Sequence, residues 1–172
     1  MVLTIVLVAF QIFLSTVAGT ARQRAILHEN TAAIESAREM LEILRDEPFE
    51  SIFALYNEDP TDDPGGAGTA PGATFDVRRL DAFVRSGSSA LGQIVFPTSS
   101  KEKKDHVEQK LREDYEDRSM GMPRDLDGDG KIDDKDHVDD YIMLPVAVYV
   151  TWEAMTGPRE VCLNTILADY RW

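Results

Sequence analysis

MVLTIVLVAFQIFLSTVA, residues 1–18, opens the chain, and the helical pattern it starts runs on through SAREMLEILR, Ser36–Arg45, to the first proline at Pro48. The opening stretch is broken only by Thr4, Gln11, Ser15 and Thr16. A helix rises about 1.5 Å per residue, so a run of this length just matches a hydrocarbon layer roughly 30 Å thick. Beyond it, Ile26, Ala33, Ile34, Ala37, Met40, Leu41 and Leu44 recur at three- and four-residue steps, while Arg22, Arg24, Glu29, Glu35, Arg38, Glu39, Glu42 and Arg45 take other faces. The reading is one continuous helix, apolar all round at first and then carrying a single stripe that needs a partner surface. Asp46-Glu47-Pro48 closes it, because proline lacks an amide hydrogen and clashes with the preceding turn; the same proline opens a short second helix through Tyr56.

A cleaved secretory signal is the rival reading of the first residues, with Val17-Ala18-Gly19-Thr20-Ala21 as its cleavage region. No Lys or Arg precedes the apolar run, and the helical period does not stop where a signal would end. The remaining chain sets the class. It holds 18 Lys and Arg against 31 Asp and Glu in 172 residues, a formal charge of −13, and Met1 to Gly19 contributes none of it. Such a balance repels phosphate backbones, so nucleic acid is not an expected partner. Hydrophobic residues make up 43%, enough for one core beside the appended helix. Cys162 is the only cysteine, so no internal disulfide forms; within Val161-Cys162-Leu163-Asn164 it reads as a small buried side chain.

Residues 1–56 therefore form the membrane and assembly helix with its short successor, 57–72 a loop, and 73–172 a sheet domain. The loop NEDPTDDPGGAGTAPG is turn composition without an apolar period. Ala73 to Val84 and Leu91 to Phe96 read as two strands. The strongest strand signal is Val146, Val148, Val150 and Trp152 alternating with Ala147, Tyr149 and Thr151, turned by Thr156-Gly157-Pro158 into an antiparallel partner from Arg159 to Leu167. An antiparallel sheet needs one face covered and the helix stripe supplies a cover, which gives an α+β fold with a long helix packed on a small antiparallel sheet. KEKKDHVEQKLREDYEDR, Lys101 to Arg118, carries Val107, Leu111 and Tyr115 four apart and reads as a solvated surface helix.

Asp125-Leu126-Asp127-Gly128-Asp129-Gly130-Lys131-Ile132-Asp133-Asp134-Lys135-Asp136 has the spacing of an EF-hand type loop, with carboxylates at loop positions 1, 3, 5, 9 and 12 and glycine at 6. A hard divalent cation takes several oxygens at about 2.4 Å, and alternate residues of a tight turn aim theirs inward together. The expected calcium ligands are the side chains of Asp125, Asp127 and Asp129, the carbonyl of Lys131, Asp133 through a water, and Asp136 as the closing carboxylate. Ile132 is expected to pack into the domain, and His137 to be a polar surface residue just past the loop. His28, His106 and His137 are scattered, and no nucleophile or acid/base pair is grouped with them, so the expectation is a protein without catalysis.

MVLTIVLVAF, SAREMLEILR and LPVAVYVTWEAMTGPREVCLNTILADYR together resemble a type IV pilin-like protein, a minor pilin or a type II secretion pseudopilin. The resemblance covers the helix well and the late hairpin moderately; from Asn57 to Arg124 it extends only to the general plan. It implies a helix packed on an antiparallel sheet, calcium ordering the loops beside the sheet, a bacterial inner-membrane anchor with the domain outside, and homo- or hetero-oligomers with other pilin-like subunits through the helix. The family has a short basic leader and a glutamate at the fifth mature position, where Ile5 stands here. The expected explanation is that Met1 lies inside the mature helix. A basic leader upstream would also reconcile the outside placement with Arg22 and Arg24, which by charge bias alone would keep their end of the span in the cytoplasm. The rival class is a monomeric tethered or secreted calcium module, since the acidic loop is also dockerin-like; dockerins typically carry two such loops and this chain has one.

Overall fold

In the computed structural model, which describes residues 2–102 and 107–169, helix α1 spans Val2–Asp46 and is followed by a 3-10 turn at Phe49–Ser51 and helix α2, Ile52–Tyr56. Met1, residues 103–106 with His106 among them, and residues 170–172 lie outside the described residues. Pro48 sits between the two helices at φ −58° and ψ 125°, with φ fixed by its ring, and it offers no amide to continue α1. Four strands, β1 (Thr74–Asp76), β2 (Leu91–Val95), β5 (Met143–Ala154) and β6 (Gly157–Ala168), form an antiparallel sheet in the order β1-β2-β5-β6. Strands β3 (Thr98–Glu102) and β4 (Val107–Leu111) form a separate two-stranded ribbon. The architecture is α+β, a long apolar N-terminal helix over a small antiparallel sheet.

The hairpin β5–β6 pairs along its full length, from Met143 opposite Ala168 to Ala154 opposite Gly157. Gly157 closes it at φ 120°, a conformation that a side chain would strain. Leu144, Val146, Val148, Val150 and Trp152 bury the face that meets α1, where Ala33, Ala37, Leu41 and Leu44 form the facing stripe. The two alanines bring the backbones close, and each fully buried leucine or valine stabilises the packing by roughly 1.5–3 kcal/mol. The opposite face, with Pro145, Ala147 and Tyr149, lies under the segment that follows β4, since a Cβ on Gly121 would reach Ile166 at 3.9 Å.

Strand β5 runs opposite in direction to α1. Tyr141 donates its hydroxyl to the Phe49 carbonyl at 2.8 Å at one end, and Trp152 donates its indole N–H to Glu29 at 3.4 Å at the other. Arg159, paired across the hairpin with Trp152, places Nε 3.4 Å from the same Glu29 carboxylate. His28 stacks on Phe83 with ring centroids 6.0 Å apart, and Arg79 reaches Glu35 and Glu39 at 3.7 and 3.0 Å. From Glu29 toward the N-terminus the protein offers α1 little cover: Val2, Leu3, Ile5, Val6, Leu7, Val8, Phe10, Ile12, Phe13, Leu14 and Val17 are all exposed. This is the one helix among the described residues long and apolar enough to cross a membrane, and none of its apolar window is buried in the protein.

Three expectations change. The Ala73–Val84 stretch is a strand only over Thr74–Asp76 and then a 3-10 turn, Arg78–Leu80, that puts Leu80 in the core. The described part of Lys101 to Arg118 opens as ribbon strands rather than a surface helix: Val107, Gln109 and Leu111 alternate on β4, and the four-residue spacing is twice the strand period. Cys162 is half-buried rather than enclosed, with Sγ 3.2 Å from the Asn164 side chain.

Candidate metal centre

The acidic segment folds as a series of tight side-chain-to-backbone turns. Asp125 accepts the Gly128 N–H at 2.6 Å and the Gly130 N–H at 2.7 Å, one on each carboxylate oxygen. Asp127 accepts the Asp129 N–H at 2.9 Å, Asp129 the Lys131 N–H at 2.7 Å, and Asp133 the Lys135 N–H at 2.9 Å. Short carboxylates compete with regular structure by bonding backbone two or three residues on, which is why consecutive Asp and Gly make this coil. Gly128 and Gly130 supply the left-handed positions at φ 82° and 83°. Desolvation works against ionisation of Asp125, yet the amides of Gly130 and Gly128 hold its carboxyl below the usual range. Asp133 is held far below it by the Lys135 ammonium first and the Lys135 amide second.

Beneath the coil lies Glu113, which comes from the segment after β4 and is only 1% exposed. One oxygen accepts the Leu126 N–H at 2.5 Å and the Asp127 N–H at 3.4 Å, and the other accepts the Asp133 N–H at 3.0 Å. A buried carboxylate is costly unless it is hydrogen-bonded, and here three loop amides satisfy it. His137, 3% exposed, closes the floor: its ring nitrogens lie 3.1 Å from Asp140, 3.2 Å from Asp133, 3.7 Å from Glu113 and 3.8 Å from Asp127. Desolvation pushes its pKa down, but Asp133, Glu113 and Asp140 outweigh it and raise the pKa above the ordinary imidazole value. The expectation of a surface histidine is therefore corrected, because the loop wraps over the ring instead of leaving it behind. Ile132 is corrected too: it is 51% exposed, and Leu126 fills the core position with its carbonyl bonded to the amides of Ile142 and Met143.

Of the six residues read from the sequence, Asp125, Asp127 and Asp133 enter side-chain groups whose ligand atoms lie within 4.8 Å of one another: Glu113 with Asp125 and Asp127, Glu113 with Asp133 and His137, and Asp127 with His137 and Asp140. Asp129 and Asp136 fall outside those groups, and Lys131, expected to ligate through its backbone carbonyl, is not a side-chain member of any of them. Asp129 pairs with the Lys131 ammonium at 3.6 Å. Asp136 turns toward β4 instead, accepting the Leu111 N–H at 3.2 Å beside Lys110 at 3.6 Å. Glu113, His137 and Asp140 are the residues that the loop spacing did not reveal. An oxygen-rich set of Asp125, Asp127 and Glu113 fits a hard cation by donor chemistry, and its three carboxylates repel one another in a way a divalent ion relieves. Comparison of the chain with protein-family profiles, with curated proteins and with solved structures finds no match.

Proposed function

We propose that this chain is a structural subunit of a type IV pilus-like filament or a type II secretion pseudopilus, anchored by α1 and ordered by calcium. The observation that carries the reading is the division of one unbroken helix. Its second part is packed on the sheet, whereas Val2 to Val17 is exposed on every face. Apolar surface of that extent is stable only against lipid or against similar helices. A subunit that passes from a bilayer into a helical bundle uses both covers in turn. In this reading the sheet domain stands on the periplasmic or extracellular side of a bacterial inner membrane, and assembly rather than catalysis is the activity.

Calcium, in the same reading, is held by Asp125, Asp127 and Glu113, with Asp133 and His137 behind them. Glu113 supplies the longer closing carboxylate that the loop itself lacks at Asp136, which is engaged with β4. Affinity of about 0.1–1 mM is the range of extracellular calcium modules. The test is cysteine crosslinking of native membranes and surface fractions at Val8 and Ile12 in a Cys162→Ser background, with electron microscopy of the same material. Ladders of multimers together with helical polymers are expected. Crosslinked products no larger than monomer, in material free of polymers, would refute the assembly role.

A further inference from the structure

We infer that the tip of the β5–β6 hairpin is a second membrane contact, seated in the phospholipid headgroup layer of the bilayer that α1 crosses. The inference rests on the reading of α1 as a span and adds to it a fixed pose of the domain on the surface.

Three cross-links between helix and sheet set the level. Tyr141 is beside Phe49, Trp152 is beside Glu29, and Val84, which bridges to Ala154, adjoins the Phe83 ring stacked on His28. Strand β5 therefore descends toward the N-terminal end of α1. Three residues beyond Trp152, at about 3.3 Å each, carry the chain roughly 10 Å further. That distance equals about seven helical residues at 1.5 Å, so Met155 lies alongside the turns from His28 down to Arg22. Arg22 is the first charged residue of the helix, so the outer boundary of the hydrocarbon layer falls just before it, and the apolar turns below it are long enough to enter a layer about 30 Å thick. The tip thus falls where headgroups begin.

Its composition fits that layer. Met155 is 81% exposed, the highest value among the described large hydrophobic residues. The neighbouring turn from Arg85 to Ser89 descends with it, tied by the Arg85 N–H to the Glu153 carbonyl at 2.8 Å, and Arg85 is exposed. Arg22 shares the helix face of Ile26 and Glu29, being seven residues before Glu29, and so looks toward the hairpin. One exposed methionine with Arg85 and Arg22 beside it, and Glu153 and Glu160 on the strands above, suits the boundary between acyl chains and headgroups.

The experiment uses the full-length chain in phospholipid vesicles, with Cys162→Ser as background and an environment-sensitive fluorophore on a single introduced cysteine. Three sites are compared: Met155→Cys at the tip, Ile132→Cys at the far end of the domain, and Val8→Cys within the span. The expected result is blue-shifted emission at Met155, with most of the intensity lost to a headgroup-attached spin label. Ile132 should keep emission typical of water, and Val8 should be quenched by a label deep in the acyl chains. Water-like, unquenched emission at Met155 with Val8 quenched overturns the hairpin contact and leaves the span standing. Unquenched Val8 overturns the span, and the hairpin contact with it.

Discussion

Replacing Glu113 with alanine should loosen the whole acidic loop, although Glu113 lies outside it. Its two oxygens hold the amides of Leu126 and Asp133 at 2.5 and 3.0 Å, with Asp127 further off at 3.4 Å. Hydrogen bonds to an ionised group contribute about 1.5–3 kcal/mol each, and a buried amide left without a partner keeps its desolvation cost. Asp127 and Asp133 are half-buried and regain water when the carboxylate is removed, whereas Leu126 is fully buried and does not. Two strong bonds lost, less this rehydration, come to about 3–4 kcal/mol. For a domain of this size that lowers Tm by about 10–15 °C. Thermal unfolding followed by circular dichroism in detergent gives the shift, and amide exchange at Leu126 and Asp133 locates it. Glu113→Gln keeps one acceptor and the side-chain volume, so it should lose about half as much. A Glu113→Ala protein within 1 kcal/mol of the parent, with Leu126 exchange unchanged, would refute the role given to this carboxylate.

Calcium at 100 times its Kd should stabilise the parent by about 2.7 kcal/mol, and chelation should reverse the gain. Asp127→Ala should abolish that response, and equal responses from parent and variant would sink the site. Gly92→Ala places a Cβ 2.2–2.4 Å from the Phe75 ring across β1 and β2, so the ring must move. Overpacking of this kind costs roughly 1–3 kcal/mol, readable as a lower urea midpoint with an unchanged slope. Burial pushes the Tyr141 hydroxyl up to about 12 from its ordinary value of 10.0. Its folded pKa is raised, so its contribution is full below pH 10 and is lost as pH rises toward 12. Tyr141→Phe should be about 1 kcal/mol less stable than the parent at pH 8, from the lost bond to Phe49. The parent should then fall by about 2–3 kcal/mol more than the variant between pH 10 and 12. Parallel stability profiles would contradict this.

The fold was legible where one period dominates. Apolar residues at three- and four-residue steps define α1, Pro48 ends it, and the alternation from Val146 to Trp152 defines β5. Those signals are local and survive packing. The ribbon was not legible because Val107 and Leu111, four apart, satisfy a helix and alternate positions of a strand equally well; only pairing with Thr98–Glu102 decides, and pairing is not local. The loop spacing exposed the acidic coil but not Glu113, which lies 12 residues before Asp125 in a run of charges that reads as solvated. Leu111 and Glu113, two apart and both buried, are its one trace: a carboxylate on the inward side of an alternating pattern. His137 was misread for a related reason, since its burial depends on the loop folding back over it rather than on its neighbours in sequence.

Hairpin length ties the two halves of the molecule together. A strand of 12 residues at about 3.3 Å extends roughly 40 Å, which is the rise of about 27 helical residues. Counted back from Phe49, where Tyr141 fixes the register, that length consumes α1 down to about Arg22 and leaves beyond it an exposed apolar segment long enough to cross a hydrocarbon layer. The exposed segment is therefore set by where the sheet ends as much as by where the charges begin. Glu29, with His28 stacked on Phe83 next to it, marks the last contacts before that end; it is buried between Trp152 and Arg159 and is the only acidic residue on the buried stripe of α1. A hydrophobic residue there would continue the stripe but leave the Trp152 indole N–H and the Arg159 guanidinium without that carboxylate. The polar contact adds a second fixed point of register to the one that Tyr141 makes at Phe49, and the register sets how much of the helix extends beyond the sheet.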